Sequence, residues 1–217
     1  MKLAIISANL GNFEPETEWV AQTIPGVEIT VRRFDDKSFP PRITMSPRLQ
    51  ARIPKMFGWE MVKDFDCYLW VDSSRGLLRE DAARWFYNQA GGVDLVLFKH
   101  PHRRTVRAEA EFIRERLDEK KHRRDYIRQR YKGELIDEQL AAIDENYVDD
   151  CLYASTAFFY WNTPRVREML RDWWFHTSRY HAVDQLALPY LVWKHKCFVK
   201  VLNEDVYNCQ YIPIVRK

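Results

Sequence analysis

Phe65-Asp66-Cys67-Tyr68-Leu69-Trp70-Val71-Asp72-Ser73-Ser74-Arg75-Gly76 begins as a short apolar and aromatic run and stops abruptly at an acid, two hydroxyls, an arginine and a glycine. The run has the composition of a buried strand, and the polar residues mark its C-terminal end. In open α/β sheets ligands bind in the crevice beyond the carboxyl ends of the strands, so Asp72 is a candidate for holding a cation or a sugar hydroxyl. The plainer alternative is a turn in which Asp72 and the serines cap the next helix.

The stretch before it supports the functional reading. Ser46-Pro47 gives an N-cap with proline at the first helical position, and Arg48, Arg52 and Lys55 then recur at spacings of four and three. This predicts a helix with three cations on one face, ended or kinked early by Pro54; a solvated basic face is the usual explanation of such a pattern, but this helix immediately precedes the Asp72 strand. Cations beside an acid at the head of a sheet suit a nucleoside diphosphate, because they neutralise the leaving phosphates. On the other side, Leu95 to Phe98 reads as another short strand that ends in His100-Pro101-His102-Arg103-Arg104. For His100, His102 and Arg103 the open roles are metal ligation, sugar contact, phosphate contact or a polar loop.

Taken in order, these segments resemble a family. Ser46-Pro47-Arg48, Ala51-Arg52 and Lys55, followed by Tyr68-Leu69-Trp70-Val71-Asp72-Ser73-Ser74, are similar to the core of small GT-A-type glycosyltransferases. That family was formerly catalogued as a domain of unknown function and includes plant cell-wall enzymes and bacterial and viral relatives. Its Arg/Lys segment precedes a strand ending in Trp-Ile-Asp or Trp-Val-Asp. Phe98 to Arg104 with Glu109 to Ile113 resembles its His-rich strand end and acidic helix. Trp173-Trp174 with Asp184-Gln185-Leu186-Ala187-Leu188-Pro189-Tyr190 resembles its closing segment. The resemblance spans roughly residues 42 to 195.

It implies a single GT-A-like, Rossmann-like α/β domain over residues 1 to 217, with a mixed, mostly parallel sheet flanked by helices. It also implies a nucleotide-sugar donor, a UDP-sugar first, with a divalent manganese or magnesium ion as an optional partner of Asp72. Donor contacts would come from Asn9, Arg48, Arg52, Lys55, Asp72 and Ser74, and acceptor or phosphate contacts from His100, His102, Arg103 and Trp174. Asp184 and Gln185 would be catalytic, with Asp184 opposite Asp72 across the sugar, orienting it or acting as base or nucleophile. The Asp-Gln pair resembles retaining members of the fold class more than inverting ones. Ser74 departs from the usual Asp-x-Asp, so either the metal has fewer protein ligands or cationic residues replace it.

Elsewhere the chain reads as an alternation of strands and helices. Leu3 to Ala8 is a central strand, and Asn9-Leu10-Gly11-Asn12 is a loop serving either as a plain turn or as a close backbone approach to a nucleotide. Val27 to Phe34 is a second strand, ending in Asp35-Asp36, where a solvated turn is the stronger reading. No Gly-x-Gly phosphate loop is present, which argues against a classical dinucleotide or P-loop enzyme. Thr105 to Tyr147 is charged and helical, with an apolar stripe at Val106, Ala110, Ile113 and Leu117. Leu152 to Trp161 is a buried strand, and Thr163-Pro164 opens a helix in which Trp173 packs and Trp174 can form a sugar-stacking wall. Asp184 should then open an apolar helix running to Trp193, and Phe198 to Leu202 and Tyr207 to Val215 should supply further strand and loop over the site.

Composition sets the outer limits. The 217 residues are 46% hydrophobic and 30% charged, enough for one domain's core and for a hydrated surface. Cys67, Cys151, Cys197 and Cys209 lie far apart without Cys-x-x-Cys spacing, the pattern of buried free thiols in a reducing compartment. The short N-terminal run and the lack of any long apolar stretch predict a cytoplasmic protein without a membrane span. A net charge of +3 neither demands nor excludes a polyanionic partner. The run Lys120-Lys121-His122-Arg123-Arg124, with Arg128, Arg130, Tyr126 and Tyr131, keeps a rival reading open: a nucleic-acid-binding module, or a glycosyltransferase acting on hydroxylated bases in DNA. An inert scaffold of the same fold is the third possibility.

Overall fold

The computed structural model describes residues 1–117, 131–180 and 183–215. Six strands form one sheet: β1 (Lys2–Asn9), β2 (Glu28–Asp35), β3 (Cys67–Val71), β4 (Leu95–Lys99), β5 (Tyr153–Trp161) and β6 (Val199–Leu202), in the spatial order β2-β1-β3-β5-β4-β6. β5 runs antiparallel to both of its neighbours, and the other pairings are parallel. The mixed, mostly parallel sheet flanked by helices is therefore the one the sequence predicts.

Both faces of the sheet are covered, which is why the central strands read as continuous apolar runs. Alternation within each strand divides the core in two. Ala4, Ile6, Tyr68, Trp70, Phe158 and Tyr160 face one layer, built from α2 (Arg52–Met61), α6 (Pro164–Arg179) and α7 (Leu188–Lys194). Leu3, Ile5, Leu69, Val71 and Phe159 face the other, where Ala83 and Phe86 of α3 (Ala82–Gln89) and Val206 and Ile212 of the C-terminal segment close the core. The edge strand β2 carries Glu28, Arg32, Arg33 and Asp35, charges that discourage pairing with another chain.

Local signals set several boundaries. Ser46 Oγ accepts from Leu49 N–H at 3.2 Å, and Thr163 Oγ1 accepts from Val166 N–H at 3.3 Å, each with proline at the next position. Pro54 does not act as expected. The predicted basic helix divides into α1 (Pro47–Gln50) and α2, which restarts at Arg52, so Pro54 lies in the first turn, where its missing N–H has no intrahelical partner. The kink falls at Phe57 instead (φ −114°, ψ 20°). The expected helix from Asp184 is also two pieces, a 3-10 turn over Asp184–Leu186 and then α7, with Pro189 near its start. The charged region holds α4 (Val106–Leu117) and α5 (Ile136–Ala141), while the basic run 120–124, Tyr126, Arg128 and Arg130 lie outside the described residues.

One close contact yields a stability prediction. A Cβ at Gly58 of α2 would come within 2.4 Å of Ile6 Cδ1. Helix propensity favours Gly58→Ala by up to about 1 kcal/mol, but Ile6 is fixed in the core and the overlap should cost about 1–3 kcal/mol. A net loss in urea denaturation is expected, and Ile6→Val, which removes Cδ1, should recover part of it in the double variant. Simple additivity of the two losses would refute the contact.

Candidate functional site

The carboxyl ends of β1, β3 and β4 lie along one edge of the sheet, and the antiparallel β5 enters between β3 and β4 from that same edge. β3 ends at Val71, after which Asp72 N–H donates to the Thr156 carbonyl of β5 at 2.8 Å. Asp72 is thus fixed by the sheet itself, with its side chain 30% exposed. Its Oδ1 accepts from Trp70 Nε1–H at 2.7 Å and lies 3.6 Å from Lys55 Nζ.

Lys55 is the centre of the cluster. Its side chain is only 1% exposed, and its ammonium lies 2.6 Å from Asp184 Oδ2 and donates to Ser155 Oγ at 3.2 Å. The Trp70 and Trp173 rings flank it, their centroids 5.6 and 5.7 Å from Nζ. Arg52 Nε is 3.3 Å from the same Asp184 oxygen. Ser155 donates to Asp184 Oδ1 at 3.1 Å, and Trp173 Nε1–H donates to the Asp184 backbone carbonyl at 2.7 Å. Buried charges survive only with such pairing. Burial opposes ionisation of Asp184, but Arg52, Lys55 and the hydrogen bonds from Lys55 and Ser155 outweigh it and hold the carboxyl well below the usual range. For Lys55 burial is the larger influence and pulls the ammonium down from 10.5 against the attraction of Asp184 and Asp72.

A second network adjoins the first through Gln185, whose amide donates to Glu109 Oε1, while Glu109 also pairs with Arg103. Arg103 lies over the Phe112 ring at 4.0 Å. His100 Nδ1 accepts from the backbone N–H groups of Arg103 at 3.0 Å and His102 at 3.3 Å. Burial, with Arg103 and His102 nearby, pushes the His100 imidazole down to about 4, so it is neutral at physiological pH.

The structure therefore brings Arg52, Lys55, Asp72 and Asp184 together, and links Gln185 to Arg103 and His100. It does not leave Asp184 facing Asp72 across a sugar: the Lys55 ammonium fills that gap and Asp184 is buried. The other candidates make different contacts. Asn9 braces the following loop, its amide donating to Glu14 O at 2.8 Å while its Oδ1 accepts from Glu14 N–H at 3.2 Å. The close approach at Gly11 (φ +74°) is to Pro47, and Asp35 forms a turn with Ser38. Arg48 lies 4.4 Å from the Tyr131 ring centroid. Ser74 O accepts from Val215 N–H at 2.9 Å, so the C-terminal segment packs along the Asp72 loop. His102 stacks on Tyr207 with centroids 5.6 Å apart.

The tryptophan at the cluster is Trp173. Trp174 packs edge-on against Phe57 at 6.1 Å, one step round α6 from the site. Sequence reading gave no site role to Ser155, Trp70 or Glu109, although Trp70 and Glu109 stand in segments that carry the resemblance. Ser155 stands with Thr156 as a pair of hydroxyls in an otherwise apolar and aromatic strand, and Trp70 lies two residues before Asp72, on the same side of an extended chain.

The donor set does not fit a divalent cation. The Asp72 oxygen nearest the cluster is already shared by an indole N–H and an ammonium, residue 74 supplies a hydroxyl, and His100 Nδ1 faces backbone donors. Among the described residues no group of three His, Cys, Asp or Glu side chains is placed to hold a metal, and no helix is long and apolar enough to cross a membrane.

Fold and site together define an open, mostly parallel α/β sheet with a buried ionic cluster at the carboxyl ends of its parallel strands. No family model matches the chain, and no curated protein matches it. Among solved structures it is similar to mouse xyloside xylosyltransferase 1 in its apo form, at 11% identity and a TM-score of 0.41, covering 81% of this chain and 63% of that one. It is also similar to A197 from STIV, at 11% identity and a TM-score of 0.34, covering 94% of this chain and 82% of the other. At these scores neither likeness bears on what the chain does.

Proposed function

We propose that the chain is a glycosyltransferase that moves a sugar from a nucleotide-sugar donor to a hydroxyl of a glycan or another hydroxylated acceptor. One observation carries the reading: Asp72, Lys55, Arg52 and Asp184, drawn from α2, the end of β3 and the 3-10 turn, meet where an open sheet of this kind binds its ligand. Buried charge without a ligand-related role is an expensive way to stabilise a core, since apolar residues of similar volume often do as well.

Roles follow from exposure. Asp72 is the acid that solvent reaches, and its outer oxygen accepts from donor hydroxyls. Arg52, buried against Asp184 but more exposed than Lys55, offers positive charge to the diphosphate from beneath. Asp184 is held inside, so it acts through Lys55 and Arg52 by fixing their positions. In the transfer, the acceptor oxygen bonds to the anomeric carbon as the bond from that carbon to the diphosphate oxygen breaks. The electron pair leaves on the diphosphate, and the hydroxyl proton passes to a base on the acceptor side.

The test is thermal denaturation with UDP and with UDP-sugars. A ligand at 100 times its dissociation constant should raise the apparent stability by about 2.7 kcal/mol. Asp72→Asn should fold and lose the additional stabilisation that UDP-sugars give over UDP. The absence of any shift with nucleoside diphosphates or nucleotide sugars across the purine and pyrimidine bases would remove this reading.

A further inference from the structure

We infer that Lys55 is a built-in cation of this site, neutralising Asp72 where a divalent ion would otherwise be needed, so that the donor diphosphate binds without metal. The inference rests on the nucleotide-sugar reading and deepens it.

The difficulty any such site must solve is electrostatic: a carboxylate placed to hold the donor also repels its diphosphate. A divalent ion solves it by bridging the two. Here the Lys55 ammonium lies 3.6 Å from Asp72 Oδ1, between two indole rings and inaccessible to solvent, so the charge is fixed beside the acid before any ligand arrives. Lys55 need not touch a phosphate to have this effect. The charge count agrees, because two cations, Arg52 and Lys55, with two carboxylates, Asp72 and Asp184, balance as a divalent ion on two carboxylates does.

The same geometry disfavours a metal. Magnesium requires near-octahedral oxygen ligands at about 2.0–2.1 Å and manganese favours similar oxygen donors. An ion bound to Asp72 Oδ1 would displace the Trp70 N–H and stand next to an ammonium that cannot retreat, since Asp184 and Ser155 hold it. Ser74 replaces the second acid that would strengthen such a site. Asp184 and Ser155 are positioning residues in this scheme: they hold the ammonium against Asp72.

Two measurements on the full chain decide the matter. In the first, manganese alone is titrated and its free-ion paramagnetic resonance signal followed. No binding below about millimolar is expected, and tighter binding that disappears in Asp72→Asn would overturn the inference. In the second, UDP affinity is compared in EDTA and in manganese. Equal affinities are expected, whereas a gain of about tenfold or more with manganese would overturn it. If neither UDP nor any other nucleoside diphosphate, purine or pyrimidine, binds in either condition, the nucleotide-sugar reading falls, and the inference falls with it whatever the manganese titration shows. Lys55→Met alone leaves Asp184 short of a partner and endangers folding, so the paired variant Lys55→Met with Asp184→Leu supplies the mutational arm. Its UDP affinity in EDTA should fall by about tenfold or more, and an unchanged affinity would refute the role of Lys55.

Discussion

Replacing Asp184 with alanine is expected to lower the unfolding free energy by about 3–5 kcal/mol, read from urea denaturation at neutral pH. The carboxylate is 5% exposed and faces two cations that are themselves inside the protein, Lys55 at 1% and Arg52 at 9%. Removing it leaves both charges in a poorly solvating interior, with only the partly exposed Asp72 as counterion. Asp184→Asn keeps an acceptor for Ser155 but not the charge, and should give an intermediate loss. Lys55→Met with Asp184→Leu should recover part of the stability, because it removes one of the two cations that Asp184 faces and leaves only Arg52 to be compensated by Asp72. A loss below about 1 kcal/mol for Asp184→Ala would show that the cluster is not paired as described.

The same pairing makes a pH prediction with a definite sign. The Asp184 carboxyl titrates below its unfolded value, so its contribution is present above the ordinary carboxylate range near 3.9 and is lost as the pH falls through and below it.

His100 should produce a second, earlier loss of stability on the acid side. Its imidazole titrates at about 4 in the folded protein against 6.5 in an ordinary setting, burial being the largest cause. Between these values the unfolded chain binds more protons than the folded one, so stability is complete above about 6.5 and falls as the pH drops toward 4. At 1.36 kcal/mol per pH unit the full effect is about 3 kcal/mol. His176, lowered by burial and by Lys194, adds to the same slope. Urea midpoints at pH 7.5 and pH 4.5 measure the loss. His100→Asn keeps an acceptor near the His102 and Arg103 N–H groups but does not titrate, so most of the difference between the two midpoints should vanish, leaving the share due to His176. An undiminished difference in His100→Asn would show that the imidazole is not held neutral in the folded chain.

These two residues show where sequence information ends. The Asp72 position was legible because β3 is a short run buried on both faces and then breaks into Asp-Ser-Ser-Arg-Gly, a change of composition that local chemistry alone produces. The caps at Ser46 and Thr163 were legible for the same reason, since each hydroxyl binds an N–H three residues away. His100 could be placed at a strand end, but its neutrality depends on which backbone donors the loop presents to Nδ1.

The chain alone therefore determined the alternation of strands and helices, the strand end that carries Asp72, and a set of charged residues able to serve it, while the mixed, mostly parallel sheet was what its resemblance implied. The tertiary structure decided which of those charges meet. Spacing showed Arg48, Arg52 and Lys55 on one helical face, yet only packing sends Lys55 inward to Asp184 and Ser155 and leaves Arg48 beside Tyr131. The same holds for Trp173 and Trp174, adjacent in sequence but turned to different neighbours, with only Trp173 reaching the Asp184 carbonyl. Local pattern records how a segment folds; the ion pairs join segments as far apart in the chain as Lys55 and Asp184, and their energy depends on burial that exists only once α2, β5 and the turn at Asp184 have closed on one another.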